Sequence, residues 1–411
     1  MGKYDFDKLI ERTLTDSIKW NFIQDELNPS TIFKTNIFNE ENGVLPMWVA
    51  DMDFLCPPEV VESLIARAKH GIYGYTARSA AYNISILNWM KKRHSWNICE
   101  EWLCVSPGVV PALNMLINSF AMPGDGVLVQ TPVYYPFFRA VENNGRKVVD
   151  VPLLLDDSGN YRMDYDSIES KISDGTVKLA ILCNPHNPVG RVWKKEELLR
   201  FAEICLKNKV TIISDEIHAD LTYKNCKFTP LASLSKEIAN ITVTCTSASK
   251  TFNIAGLHNA NIIISSPELR KKYMAVLSAN GLFGMNIFGM IATEIAYSKC
   301  EQWLDELLDY LHGNLVFLKE FIAVNIPAIN VIEPEGTYLV WLDLRKLTFS
   351  ALEQRRFILN KAKLFLDEGY IFGKAGVGFT RMNIGCPRMI LEKALVNLAN
   401  AVNSLQETNK L

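Results

Sequence analysis

From Gly126 onward the chain alternates short apolar runs with stretches of helical spacing. Gly126 to Gln130, Lys178 to Cys183, Val210 to Ser214 and Ile241 to Cys245 read as strands, Lys178 to Cys183 of the buried type. Between the second and third lies a helical stretch, Glu196 to Asn208, with Leu198, Leu199, Ala202 and Cys205 spaced to face inward. Strands alternating with covering helices predict an α/β fold with a largely parallel sheet. The last three runs end in segments carrying polar residues, at Asn184-Pro185-His186-Asn187-Pro188-Val189-Gly190, at Asp215-Glu216-Ile217-His218 and at Thr246-Ser247-Ala248-Ser249-Lys250. Open α/β sheets place ligands beyond the carboxyl ends of their strands. Asn187, Asp215 and Lys250 are therefore expected to converge, although they are far apart in sequence.

Lys250 follows a strand and has Ser247 and Ser249 beside it. A desolvated amine at such a point has a lowered pKa and becomes nucleophilic, and neighbouring hydroxyls can bind an anion. That combination suits a Schiff base to an aldehyde that carries a phosphate, namely pyridoxal phosphate (PLP). An ordinary loop lysine is the alternative on this stretch alone. Asp215, after a run of apolar and small residues, is expected to be semi-buried and to need a cationic or hydrogen-bonded partner. A protonated pyridine nitrogen is one such partner, and an arginine elsewhere in the chain is the other.

Several further segments point to the same edge. Val105-Ser106-Pro107-Gly108-Val109-Val110-Pro111 opens a helix, Ala112 to Phe120, whose first amides and dipole form a ready anion site. Tyr134 or Tyr135, past a strand end, can stack on a flat ring or belong to the core. Leu45 to Phe54, with Asp51 and Asp53 flanking Met52, reads as a pocket wall or as a turn into the helix that Pro57 and Pro58 start. Tyr73-Gly74-Tyr75-Thr76 reads as a tight aromatic turn, before a helix from Ala80 to Arg93 with Ile84, Leu87 and Met90 on one face.

Composition narrows the alternatives. The chain has 411 residues, 48% of them apolar, enough for one large or two ordinary domains. A net charge of -2 gives no electrostatic reason to expect nucleic acid or an anionic membrane. Apolar runs fall short of the ~18 residues of a membrane span, and the charged N-terminus is unlike a signal peptide. Gly2 does not mark a myristoylation site, because Phe6 stands where a Ser or Thr is required. Nine cysteines without a Cys-x-x-Cys pair argue against zinc or a disulfide framework and for a reducing cytoplasm.

Residues 1 to 45 read as an irregular arm with one short helix near Phe6 to Thr13. Past Pro267 a helical region breaks at Gly281-Leu282-Phe283-Gly284 and resumes near Ile287. Leu304, Leu307, Leu308, Leu311, Leu315, Leu318 and Phe321 then form a packing stripe. Gly336 to Leu344 and Phe379 to Ile384 read as strands, and Met389 to about Leu405 as a last helix. With no low-complexity linker, the second domain is expected to be assembled from both chain ends.

Together these motifs resemble the fold-type I PLP enzymes, the aspartate aminotransferase superfamily. Asn187-Pro188-x-Gly190, Asp215-x-x-His218 and Ser247-x-Ser249-Lys250 occur in that family's order, and Lys250 follows Asp215 by 35 residues as is usual there. The chain looks most like the cystathionine β-lyase and cystalysin group of carbon–sulfur lyases, through Trp48 to Phe54, Tyr73-Gly74-Tyr75, Pro107 to Val110, Asn184 to Gly190, Asp215 to Asp220 and Ser249 to Gly256.

The resemblance implies a large domain over 51–289, with a mostly parallel seven-stranded sheet flanked by helices. A smaller α+β domain over 290–411 and an arm over 1–50 that contributes to it complete the chain. It implies that Lys250 bonds the cofactor and later carries the substrate's Cα proton, while Asp215 keeps the ring nitrogen protonated. Asn187 would reach the ring's phenolic oxygen and Tyr134 would stack on the ring. The Val109 and Val110 amides, with Ser247 and Ser249, would hold the phosphate. Tyr75 would reach it from a second subunit, which makes the protein a homodimer with its active site at the interface. Arg381 would clamp the substrate carboxylate, with Ala50 and Asn187 beside it.

Two positions depart from the wider family's pattern: His218 stands where a Tyr is usual and His258 where a phosphate-binding Arg is usual. The phosphate is thus expected to have less cationic help, and His218 either touches the cofactor or fills structure. The implied reaction is α,β-elimination from a sulfur amino acid, giving a thiol, pyruvate and ammonia. The alternative is amino transfer to a 2-keto acid on the same residues. Some members of the lyase group also bind a transcriptional regulator, which would need a surface patch this sequence does not reveal.

Overall fold

The computed structural model describes residues 2–26, 28, 31–39 and 42–408. Seven strands form its central sheet: β1 (Leu103–Ser106), β2 (Gly126–Val129), β3 (Lys147–Asp150), β4 (Val177–Cys183), β5 (Thr211–Asp215), β6 (Thr242–Thr246) and β7 (Ala260–Ile263). Their order is β1-β7-β6-β5-β4-β2-β3, and only β7 runs against its neighbours. The fold is α/β, with the mostly parallel seven-stranded sheet that the resemblance implies.

The inner strands β2, β4, β5, β6 and β7 are almost wholly buried because both faces are covered. Side chains alternate along β4: Leu179, Ile181 and Cys183 enter one core with Val127, Val129, Ile213 and Val243. Ala180 and Leu182 enter the opposite core with Leu128 and Ile212. The helix Lys195–Lys207 closes that second core with Leu198, Phe201, Ala202 and Cys205. Leu199, expected inward, is 37% exposed and Phe201 takes its place, because the buried set follows i, i+3, i+4, i+7. In register, Asp215 stands level with Cys183 on β4 and Cys245 on β6, so the three central strands end on one line.

A second, antiparallel sheet is built from β8 (Asn330–Val331), β9 (Leu339–Asp343), β10 (Asp367–Glu368) and β11 (Phe379–Asn383), in the order β8-β9-β11-β10. The helix Glu301–Asn325 packs under it through Leu304, Leu307, Leu311, Leu315 and Leu318, while Leu308 and Phe321 are half-buried. Leu45–Pro46, from the N-terminal arm, pairs in parallel with Leu364–Phe365.

Three local expectations fail. Residues 6–13 are not helical: Phe6 wedges between Phe54, Trp303 and Tyr310, and Arg12 extends to Asp51 and Asp53, so tertiary contacts set the backbone. The first helix of the arm is Ile18–Asn21 instead. Tyr73 to Thr76 is extended rather than a tight turn, and Tyr75 is fully exposed. The helix Ala80–His94 buries Tyr82, Ile86, Trp89 and Met90, whereas Ile84 is 54% exposed, because its partners are Phe252 and Tyr297 rather than a surface on the expected side.

Candidate active site

Beyond the carboxyl ends of β1, β4, β5 and β6 lies a cavity of about 240 Å³. Asn187, Asp215 and Lys250 all line it, as do Tyr134, Val109 and Val110. The strands deliver these groups directly. Asp215 is the last residue of β5, and Lys250 sits in the short turn Ala248–Thr251 just past β6. Val109 and Val110 are the first two residues of the helix Val109–Phe120, which starts three residues earlier than the sequence reading placed it. Their amides belong to the first turn, where N–H groups have no partner inside the helix.

Asp215 is fully buried. The one hydrogen bond to its carboxylate among the described residues is donated by the Ile217 amide, 3.2 Å away. Burial pushes its carboxyl up to about 7, with only the Ile217 amide and the Lys250 charge pulling the other way. Of the two partners the sequence allowed, the arginine is absent: no arginine among the described residues bonds this carboxylate. A carboxylate with no cation bonded to it, facing a cavity, fits a ligand that brings its own N–H cation.

Burial also pulls the Lys250 amine down to about 8, where a neutral, nucleophilic fraction exists near neutrality. Its Nζ donates to the Ala50 carbonyl at 2.7 Å. The segment around Ala50 is thus a pocket wall by its backbone, while its carboxylates turn away. Asp51 and Asp53 pair with Arg12, and Asp53 also pairs with the buried Lys19.

Asn187 accepts from Arg381 through Oδ1 at 2.8 Å. With the oxygen so held, the amide presents its NH2 as the free donor. Arg381 is buried and stands behind the cavity lining. It also donates to the Trp48 carbonyl at 2.8 Å and is ion-paired with Asp367, while its Nε has no partner among the described residues. Tyr134 lines the cavity, and burial raises its phenol. Tyr135 instead lies under Arg139 and against Phe372, which separates the two tyrosines that the sequence left equivalent.

Ser249 lines the cavity, but Ser247 does not: its hydroxyl donates to the Asn259 carbonyl at 2.6 Å and accepts from the Ser249 amide. Ser247 is therefore the cap of the turn that carries Lys250. His218 and His258 both line the cavity. His218 is buried with Nδ1 unpartnered, and burial beside Lys250 and Arg381 drives its pKa down to about 3, so its ring is neutral. Tyr75 is remote from these groups in sequence and exposed, in an extended segment at 72–79. Sequence reasoning missed Tyr338, Asp367, Asn253 and Asn383, which support the site through backbone carbonyls or Arg381. No residue pattern marks a side chain whose partner is a distant carbonyl.

A flat aromatic wall, a helix N-terminus, a buried carboxylate without a cation and a depressed lysine amine fit the ring, phosphate, pyridinium and aldehyde of PLP. The fold and this site define a pyridoxal-phosphate enzyme of the α/β type. The chain belongs to the family of class I and II aminotransferases, whose sequence model matches residues 43–398. It is 44% identical to cystathionine β-lyase PatB of Bacillus subtilis over 97% of this chain and 100% of that protein. It is 31% identical to the protein MalY of Escherichia coli, over 98% of this chain and 100% of that one. The crystal structure of cystalysin from Treponema denticola, which contains pyridoxal 5'-phosphate, superposes with a TM-score of 0.91 at 39% identity, covering 98% of this chain and 99% of that one. No helix among the described residues is long and apolar enough to cross a membrane.

Proposed function

We propose that this protein is a PLP-dependent carbon–sulfur β-lyase that cleaves cystathionine or a related sulfur amino acid to a thiol, pyruvate and ammonia. Full-length similarity to a cystathionine β-lyase, joined to a cavity in which Lys250 and Asp215 face one space, carries this reading.

Bound PLP supplies an electrophilic aldehyde and a ring that accepts the electron pair left on Cα. The chain does the rest. The Asp215 carboxylate would hold a proton on the ring nitrogen, an interaction that relieves its own burial. The Asn187 NH2 would donate to the phenolic oxygen, and Tyr134 would pack against the ring. The Val109 and Val110 amides and Ser249 would bind the phosphate, with Ser247 shaping the turn that presents Ser249. His218 and His258 contribute from the cavity wall. The Arg381 guanidinium, through its unpartnered Nε, attracts the substrate carboxylate beside Asn187 and Ala50.

Lys250 would hold the cofactor through its amine and, when that amine is free, would take the substrate's Cα proton. Loss of that proton lets the Cβ–S bond break with its electron pair leaving on sulfur, and the Lys250 ammonium can pass the proton to the thiolate. The 2-aminoacrylate, once released, tautomerises to the imine, which water hydrolyses to pyruvate and ammonia. A positioned general base of this kind contributes ~10²–10⁴-fold.

The reading includes a homodimer in which Tyr75 of one subunit reaches the phosphate of the other. Its support is the full exposure of Tyr75, with neighbouring Ile72 and Tyr73 more than half exposed. The division into 1–50, 51–289 and 290–411 is part of the same proposal, supported by the pairing of Leu45–Pro46 with Leu364–Phe365. The deciding experiment is a spectrum of the purified protein, followed by cystathionine without any keto acid. Pyruvate released at many turnovers per site supports the lyase. Strict dependence on an added keto acid makes the protein a transferase.

A further inference from the structure

The segment 48–54 reaches the cavity at Ala50, and nearly every carbonyl in it is taken by the protein scaffold. Arg381 donates to Trp48 O, and Asn383 to Val49 O and Asp51 O. Asn253 donates to Met52 O and Phe54 O. The Ala50 carbonyl differs, because it accepts from Lys250 Nζ at 2.7 Å and from Tyr338 Oη at 2.8 Å. A carbonyl oxygen has two lone pairs, so these two donors fill it.

Tyr338 is completely buried, one residue before β9, and its ring meets His218 edge-on at 6.2 Å. Nothing in the reaction as described above uses its hydroxyl. A tyrosine hydroxyl buried in this way needs a partner, and the partner it has is the acceptor of the reactive amine.

We propose that Tyr338 is a positioning residue that shares the Ala50 carbonyl with Lys250 and thereby limits how tightly that carbonyl can hold the lysine's protonated form. The proposal rests on the reading that Lys250 is the amine that bonds the cofactor. Two donors on one acceptor weaken each other. With Tyr338 in place the ammonium form of Lys250 is held less tightly, and the neutral amine is more accessible. The hydroxyl also keeps the carbonyl aimed at the cavity when the amine leaves it. The other charged groups whose fields reach the amine are Asp51 from the segment 48–54, Asp215 from β5 and Arg381 from β11, with His218 close by. Tyr338→Phe leaves all of them in place.

The test is the rate at which cofactor-free protein takes up PLP as a function of pH, read by visible absorbance. Borohydride reduction and the mass of the peptide containing residue 250 confirm the attachment. Tyr338→Phe should move the midpoint of this profile up by about 0.5–1 pH unit, the effect of one hydrogen bond. Site-specific 3-fluorotyrosine at 338, a stronger donor, should move it down, and this arm decides the matter if the Phe variant does not fold. A Phe profile that overlays the wild type or moves down overturns the proposal, as does a fluorotyrosine profile that does not move down. Lys250→Ala is the control on the underlying reading. If the cofactor is still fixed to the chain in that variant, the reading itself fails. If fixation is lost while the Tyr338 profiles do not shift, only the role of Tyr338 fails.

Discussion

Arg381 donates to the side-chain oxygen of Asn187 at 2.8 Å across 194 residues of sequence. One contact thus ties the group proposed for the substrate carboxylate to the group proposed for the cofactor's phenolic oxygen. Substrate binding at Arg381 and orientation of the Asn187 amide are mechanically joined, so damage to either should be felt by both.

Arg381→Lys tests that link. Lysine keeps the charge but loses the planar fork, and it cannot serve Asn187, Trp48 O and Asp367 together. The kcat/KM for cystathionine should fall by roughly 10²–10³-fold, or about 3–4 kcal/mol, with a rise in KM. A red or blue shift of the bound cofactor's absorbance should accompany it through Asn187. Unchanged KM with an unchanged spectrum would separate Arg381 from the site.

Lys250→Ala should abolish turnover and the visible absorbance of the covalently held cofactor. Steady-state pyruvate assays and a spectrum of the purified variant measure both, and retained colour removes Lys250 from its role.

Asp215→Asn makes a prediction about stability as well as activity. The folded-state pKa of about 7 lies above the ordinary carboxyl value of 3.8, so between those values the folded, cofactor-free protein binds more protons than the unfolded chain. Stability therefore falls as pH rises through this window and is lowest above it. Removing the carboxylate should make the cofactor-free protein more stable at pH ~8 by roughly 1–3 kcal/mol, with the advantage gone near pH ~4. Urea unfolding at the two pH values measures it, while elimination activity should be lost at both. Equal midpoints at the higher pH would mean that the buried carboxylate is already partnered.

Uptake of PLP by the cofactor-free wild type should rise with pH to a midpoint set by an amine near 8 rather than 10.5. The neutral amine is the nucleophile and accumulates above the pKa. A stopped-flow profile from about pH 6 to 10 follows it, and a midpoint near that of free lysine would mean that the amine is solvated.

Much of this protein is legible in its sequence because the signals are local. The apolar runs of β4, β5 and β6 specify a doubly covered sheet by composition, and a strand's end fixes where Asn187, Asp215 and Lys250 must lie. Gly108 before Val109 marks a helix start without reference to anything distant. Tertiary structure decided the remainder. Whether Tyr134 or Tyr135 faces the cavity depends on the path of a loop, and Phe6 to Thr13 abandons helix because Arg12 has Asp51 and Asp53 to reach. Ser247 turned out to cap a turn, and Tyr338 to share a carbonyl with Lys250, through contacts with Asn259 and Ala50 that no spacing encodes. The physical reason is range: burial pattern and turn chemistry act over a few residues, whereas a hydrogen bond to a backbone carbonyl leaves no mark on the identity of the residue that supplies it.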